Sequence, residues 1–469
     1  MKLIYGIKDR PKFGQVIVFA IQQLLAIMAA TLVVPVIINT SGSMPPFAPQ
    51  MSSAAALFGA GIGTLVYLLF TRFKSPVFLG SSFAFIGSMC SAFAGAISAQ
   101  AGYLGLIIGA VCAGLVYVVI ALIVKFAGVK WISKLMPAVV IGPTVAIIGL
   151  SLAGNAIGDL QTAPAGGSSY VAILCGLVTL AVTMLCATFG KKMIRLIPFI
   201  MGILAGYAVA AIFTIIGNVA DLPALKVINF APITDLFSTI TLETFISAPE
   251  FTFKEAIHGV KDIDAAYIGT VAVAYAPVAF VVFAEHIADH KNLSSIIEKD
   301  LLEDPGLHNT LLGDGVGSMA GAFFGGCPNT TYGESVGCVA ITGNASVITI
   351  LTTAIMAIVI SFLSPFVAFV NTIPSCVMGG VCMALYGFIA VSGLKMIQKV
   401  DLEQNRNLFV VSVILITGIG GLSVSFGKVT LTTIACALIL GILANVMLGV
   451  KDKKPAEEAP ASEDNTYEL

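Results

Sequence analysis

The sequence predicts an all-α polytopic membrane protein that crosses the bilayer fourteen times as two inverted repeats of seven spans. Four observations predict it. Hydrophobic residues make up 58% of the 469 and charged residues only 10%, with a mean hydropathy of +1.00, against about 25% charged residues in a soluble domain. The apolar residues gather into fourteen runs, most of them close to the ~20 residues that a helical span requires. Basic residues keep to one side of those runs, and short proline–glycine patterns recur seven runs apart.

Met1 to Lys12 carry four basic residues. The apolar run that follows is long and has no small-residue cleavage site, so it reads as a retained first helix rather than a signal peptide. The spans fall at 14–38, 53–71, 77–97, 103–124, 135–154, 170–189, 196–216, 264–288, 309–326, 329–343, 345–370, 374–394, 407–423 and 429–449. The ninth and tenth are short for a full crossing, and interrupted segments in matching places of two halves point to a carrier's binding site. Residues 217–263 form a water-compatible loop, and 450–469, rich in Lys, Glu, Ala and Pro, read as a disordered tail.

With the N-terminus cytoplasmic, the even-numbered connections and both tails hold 20 of the 24 Lys and Arg; the other side keeps Lys226, Lys254, Lys261 and Lys428. That is the asymmetry of the positive-inside rule, and one missed span would scramble it. Both termini are therefore expected in the cytoplasm. The halves also echo each other. Span three opens at Pro76 with Gly80-Ser81-Ser82-Phe83, and span ten, seven later, opens Pro328-Asn329-Thr330-Thr331-Tyr332-Gly333. Span five has Pro137, Gly142, Gly149 and Gly154; span twelve has Pro374, Gly379, Gly387 and Gly393. An odd offset places the repeats in opposite orientations.

The segment Pro328 to Glu334, at the opening of span ten, is the most informative. It is polar, poor in helix formers and ends in Glu334, with apolar residues on both sides. Non-helical backbone at membrane depth is tolerated only where it is buried in protein or lines a cavity, and an ionisable residue there marks function. If 80–82 and 330–333 run extended and then turn into half-helices, two helix N-termini face one another. Their free N–H groups suit acceptor atoms of a ligand, while Phe83 and Tyr332 supply flat surface for a planar one. Packing of small residues is the alternative use of such sequences.

Glu285 either closes span eight or lies inside it, since the apolar pattern of Leu293 to Ile297 carries the helix onward. Asp289 follows four residues later on the same face, about 6 Å along the axis. Two such carboxyls in low dielectric do not both ionise easily, so one is expected to titrate high, as proton coupling needs. His286 and His290 read as lying at the cytoplasmic end of the helix rather than in a relay. Asp314 reads as a helix-packing acid or a supporting acid behind the site. The nine cysteines, with no Cys-x-x-Cys pair, read as packing residues, and the four histidines lack metal-site spacing. No nucleophile–base pair or phosphate-binding loop appears, which argues against an enzyme. No metal, cofactor or nucleic acid is expected; a proton would be the coupling ion.

Six blocks in order resemble the nucleobase–ascorbate transporter family, especially its bacterial uracil-permease branch. They are Leu79 to Phe85, Ala284-Glu-His-Ile287, Lys299-Asp-Leu-Leu, Asp304-Pro-Gly-Leu-His308, Pro328 to Glu334 and Tyr386-Gly-Phe-Ile-Ala-Val-Ser-Gly393. The resemblance implies a core of 14–124 (spans one to four) and 264–370 (eight to eleven), and a gate of 125–216 and 371–449. It implies proton symport of a nucleobase by elevator-like alternating access, a homodimer through the gate, and a bacterial plasma membrane. By motif, Glu285 and Glu334 would hold the base, Phe83 and Ser82 would meet it from span three, Tyr332 and Gly333 from span ten, Ala30 from span one and Tyr386 from the gate. Glu285, Asp289 and Glu334 would couple the proton. Uracil suits such a site: its two N–H donors meet carboxyls and its two carbonyls meet backbone N–H groups.

The pattern departs from the branch in three places. Asp289 stands where a histidine is usual, as in xanthine and urate carriers. Ser335 replaces an asparagine, and Gln22-Gln23 replaces Gln-His. Asp289 and Ser335 are thus the expected specificity residues, with xanthine or urate symport the alternative to uracil. An anion carrier of the same fold is disfavoured, because two acids would repel its substrate.

Overall fold

The computed structural model describes residues 3–45, 48–128, 137–164, 166–191, 193–426 and 429–449. The expected tail at 450–469, the opening of span five at 135–136 and Lys428 lie outside the described residues.

The described apolar runs are mostly helical. The first half contributes α1 (Phe13–Thr40), α2 (Ser53–Phe70), the strand β1 (Leu79–Ser81), α3 (Ile86–Ala94), α4 (Ala99–Ala127), α5 (Ala138–Ser151), α6 (Ala153–Gln161), α7 (Ser169–Phe189) and α8 (Pro198–Val219). The second contributes α9 (Ala265–Ile297), α10 (Leu307–Gly325), β2 (Asn329–Thr331), α11 (Gly333–Thr342), α12 (Val347–Ser361), α13 (Ser364–Thr372), α14 (Ser375–Ile397), α15 (Asn405–Ile419), a hairpin of β3 (Val424–Phe426) and β4 (Val429–Leu431), and α16 (Thr433–Gly449). Among the described residues, eight helices are long and apolar enough to cross a membrane, and shorter apolar helices stand beside them.

Local chemistry sets the boundaries. Ser52 and Ser98 cap α2 and α4 through their hydroxyls, and Asp264 caps α9 by accepting from the Tyr267 N–H at 2.7 Å. Left-handed Gly326 ends α10 and turns the chain into β2; left-handed Gly343 ends α11. Three expectations change. Span eight does not stop at 288: α9 runs on to Ile297 because Leu293 and Ile297 extend its buried face. The segment read as 345–370 is two helices, broken at Phe362–Leu363 ahead of Pro365. A hairpin precedes α16, which starts four residues later than the 429 expected.

Small residues let the helices close up. Between α2 and α10 a Cβ added at Gly63 would lie 2.8 Å from the Gly317 carbonyl, and the Asn329 side chain fills the seam, donating to the Gly59 carbonyl at 2.9 Å. α10 also packs on α4, α4 on α9, and α12 on α1 and α2. A second set packs within itself: α14 on α5, α6 and α7, α7 on α8, and α15 on α5 and α16.

Candidate substrate cavity

The two extended stretches meet in the buried interior. β1 and β2 pair antiparallel, with Leu79 opposite Thr331, Gly80 opposite Thr330 and Ser81 opposite Asn329, and the Ser82 N–H extends the ladder to the Pro328 carbonyl at 2.9 Å. All six strand residues are buried. The pairing satisfies backbone groups that an unwound segment would otherwise leave bare in an apolar interior. Each strand then turns into a short helix, through the turn Phe83–Phe85 into α3 and through Tyr332 into α11. The first N–H groups of each have no intrahelical acceptor.

These ends open on a cavity of about 410 Å³. Ser82, Phe83, Thr330, Thr331, Tyr332, Gly333 and Glu334 form one wall, Glu285, Ala288 and Asp289 of α9 a second, and Val145, Ile148, Phe199, Leu385, Phe388, Ile389, Ser392 and Met396 the facing side. Glu285 is open to the cavity while Ala284 and His286 beside it are buried. No side chain bonds the Glu285 or Glu334 carboxyl among the described residues, and no Lys, Arg or His lines the cavity. Asp289 is tethered: its Oδ2 accepts from the Thr331 hydroxyl at 2.9 Å.

Of the expected site residues, Glu285, Glu334, Asp289, Phe83, Ser82, Tyr332 and Gly333 line this cavity. Three others lie elsewhere. Ala30 is buried in the packing of α1. Tyr386 is buried and meets the site through Phe83, ring to ring at 6.1 Å and 77°. Ser335 points away from the cavity, since one residue along a helix turns the side chain by about 100°. Its hydroxyl accepts from Gln23 Nε2 at 2.5 Å and from the Phe78 N–H at 3.1 Å. Tyr332 does more than offer a flat face: its hydroxyl donates to the Ser81 carbonyl at 2.7 Å, pinning β1.

The histidines are a correction. His286 and His290 are fully buried, not at a helix end, because α9 continues past them. His286 Nδ1 is 2.7 Å from Asp314 Oδ2, and His290 Nε2 is 2.7 Å from the Tyr67 hydroxyl. Thr331 as the tether of Asp289 and Phe199, Phe388 and Ser392 on the facing wall had no signal of their own in the sequence. They come from positions far apart in the chain.

A family model described as Permease family matches residues 14–426. The chain belongs to this permease family. It is a multi-pass membrane transporter and not an enzyme. It is 37% identical over 450 residues to the uracil permease of Bacillus caldolyticus, covering 95% of each chain. It is 36% identical to that of Bacillus subtilis (strain 168), covering 97% of this chain and 98% of the relative, and 34% identical to that of Escherichia coli (strain K12), covering 98% and 97%. The fold also resembles two solved structures. One is the transmembrane domain of a cyanobacterium bicarbonate transporter BicA, with a TM-score of 0.55, 15% identity and coverage of 94% of this chain and 99% of that one. The other is the murine Solute Carrier 26 family member A9 anion transporter in the inward-facing state, with a TM-score of 0.59, 14% identity and coverage of 95% and 69%. At such identities the likeness concerns the fold.

Proposed function

We propose that this permease takes up a nucleobase, uracil, together with a proton across the plasma membrane. The observation that carries the reading is the cavity itself: two carboxyls, Glu285 and Glu334, that no other side chain bonds among the described residues face a space of about 410 Å³ between two helix N-termini. The carboxyls are the acceptors that the two N–H groups of uracil require, and the free N–H groups at Phe83 and Gly333 suit its carbonyls. A ligand lacking one of these groups leaves a buried polar partner unpaired, which discriminates strongly. The names of the relatives agree with this substrate.

A cavity with three carboxyls and no cation does not suit an anion, so the anion carriers of similar fold are a poor guide to its substrate. Asp289 on the cavity wall is the one observation that favours the second reading, xanthine or urate symport. Its tether to Thr331 leaves Oδ1 as the acceptor for a further N–H of a purine.

In this account the fourteen spans form a seven-plus-seven inverted repeat, with both termini cytoplasmic. The set built on α1, α2, α4, α9, α10 and α12 is the core that carries base and proton. The set built on α5, α7, α8, α14, α15 and α16 is the gate it slides against, and the gate also joins two copies. The facing side of the cavity, from Val145, Phe199, Phe388 and Ser392, supports that division. Uptake of labelled uracil into proteoliposomes with and without an imposed pH gradient tests it. Accumulation that follows the gradient is expected; uptake indifferent to it removes symport from the account.

A further inference from the structure

Behind β2 lies a second group of buried ionisable side chains. His286 Nε2 is 3.0 Å from the Thr310 hydroxyl, which itself donates to the Leu307 carbonyl at 3.0 Å. Thr310 therefore accepts from His286 Nε2–H. The other ring nitrogen, Nδ1, faces Asp314 Oδ2 at 2.7 Å, so one further proton lies between base and acid, on either side of the bond. His290 is fixed differently. Its Nδ1–H donates to the His286 carbonyl at 2.8 Å, which leaves Nε2 to accept from the Tyr67 hydroxyl.

Asp314 has a second oxygen, Oδ1, that is buried with no partner among the described residues, as are the Tyr117 hydroxyl and Asn329 Oδ1. All three residues line one cavity of about 10 Å³, close to the volume that holds one water. The Asn329 amide is oriented by its Nδ2 bond to the Gly59 carbonyl, so Oδ1 is an acceptor. One water answers the set: two donors for Asp314 and Asn329, and a lone pair for Tyr117 O–H. Thr330 of β2 lines this small cavity and the substrate cavity alike. The titratable groups around Asp314 are His286, His290, Glu285 and Asp289 of α9, Tyr117 of α4 and Tyr67 of α2.

We propose that Asp314, paired with His286 and joined through one bound water to Tyr117 and Asn329, is a second proton-binding site of the carrier, separate from the carboxyls that face the substrate. The idea rests on the proton-coupled reading above. Unloading removes the proton held between His286 Nδ1 and Asp314 Oδ2 and leaves neutral His286 beside an Asp314 carboxylate whose Oδ1 still accepts from the water; reloading returns it, and only the proton is transferred. The site then loads and unloads without competing with the base for Glu285 or Glu334.

Proteoliposomes allow two assays on the same protein: exchange of labelled for unlabelled uracil at equal pH, and accumulation driven by a pH gradient. If the wild type fails at exchange, the substrate reading fails. If it exchanges but does not accumulate, symport fails. With both intact, Asp314→Asn is expected to keep exchange and lose the gradient-driven part of accumulation. Tyr117→Phe removes one hydroxyl from the small cavity and guards against misfolding of the first variant. It is expected to slow gradient-driven uptake by about fivefold, the effect of one lost hydrogen bond, with exchange unchanged. Full gradient-driven accumulation in folded Asp314→Asn, or an unaltered gradient-driven rate in Tyr117→Phe, overturns the proposal.

Discussion

Gly80→Ala tests how the strand pair is held. Gly80 sits at the middle of β1, and a Cβ added there runs into the Tyr332 ring and comes within 2.9 Å of its hydroxyl. Tyr332 is buried at the mouth of α11 and cannot move without releasing the Ser81 carbonyl that it bonds at 2.7 Å. Overpacking of this kind costs about 1–3 kcal/mol, and an unsatisfied buried acceptor about 1–3 kcal/mol more. The substitution should therefore destabilise the protein by about 2–6 kcal/mol and loosen uracil binding with it. A double-mutant cycle with Tyr332→Phe isolates the mechanism. In the wild type Tyr332→Phe loses the bond to Ser81 and should cost about 1–2 kcal/mol; in the Gly80→Ala background the bond is already broken, so the same change should cost almost nothing. Denaturation of purified protein, read with each variant alone and together, gives the coupling. Strictly additive effects refute the reasoning.

Other variants probe the surroundings. Ser335→Ala strands the buried Phe78 N–H, so a loss of about 1–3 kcal/mol in stability is expected in the same denaturation assay, with the ratio of uracil to xanthine affinity unchanged because Ser335 does not face the cavity. Thr331→Val frees Asp289 from its tether; a several-fold change in relative affinity for uracil and xanthine is expected by competition binding. Asp304, outside the spans, bonds Lys74 at 2.6 Å and Lys299 at 3.1 Å, and these ammonium groups hold its carboxyl below the ordinary range. A lowered folded-state value means the contribution is present at neutral pH and is lost as pH falls through and below the ordinary carboxylate value of about 4. The difference in melting temperature between wild type and Asp304→Asn should accordingly shrink as pH drops into that range.

Much of the site was legible because its local sequence is hostile to helix. Pro76 with Gly80-Ser-Ser, and Pro328 with Thr-Thr-Tyr-Gly, announce two stretches that cannot stay helical, and carboxyls amid apolar residues announce a cavity. Asp289 joins Glu285 through four-residue spacing alone. What stayed hidden was the company each residue keeps. His286 and His290 look like residues at a helix end until Asp314, Tyr67 and Ser75, from three other segments, are folded against them. Ser335 reads as a specificity residue because it replaces an asparagine of the family pattern, yet helix rotation turns it to Gln23. The register of β1 on β2 and the Phe199–Phe388 side of the cavity arise from pairings across more than a hundred residues.

The central claim is that the paired carboxyls of the cavity hold a nucleobase. Equilibrium binding of labelled uracil and of xanthine to purified wild type and Glu334→Gln tests it most directly. The account predicts that the wild type binds uracil and that Glu334→Gln weakens binding by at least about tenfold, the loss of one charge-assisted hydrogen bond. Xanthine bound in place of uracil would move the specificity to Asp289. Uracil bound equally well by both proteins would contradict the account.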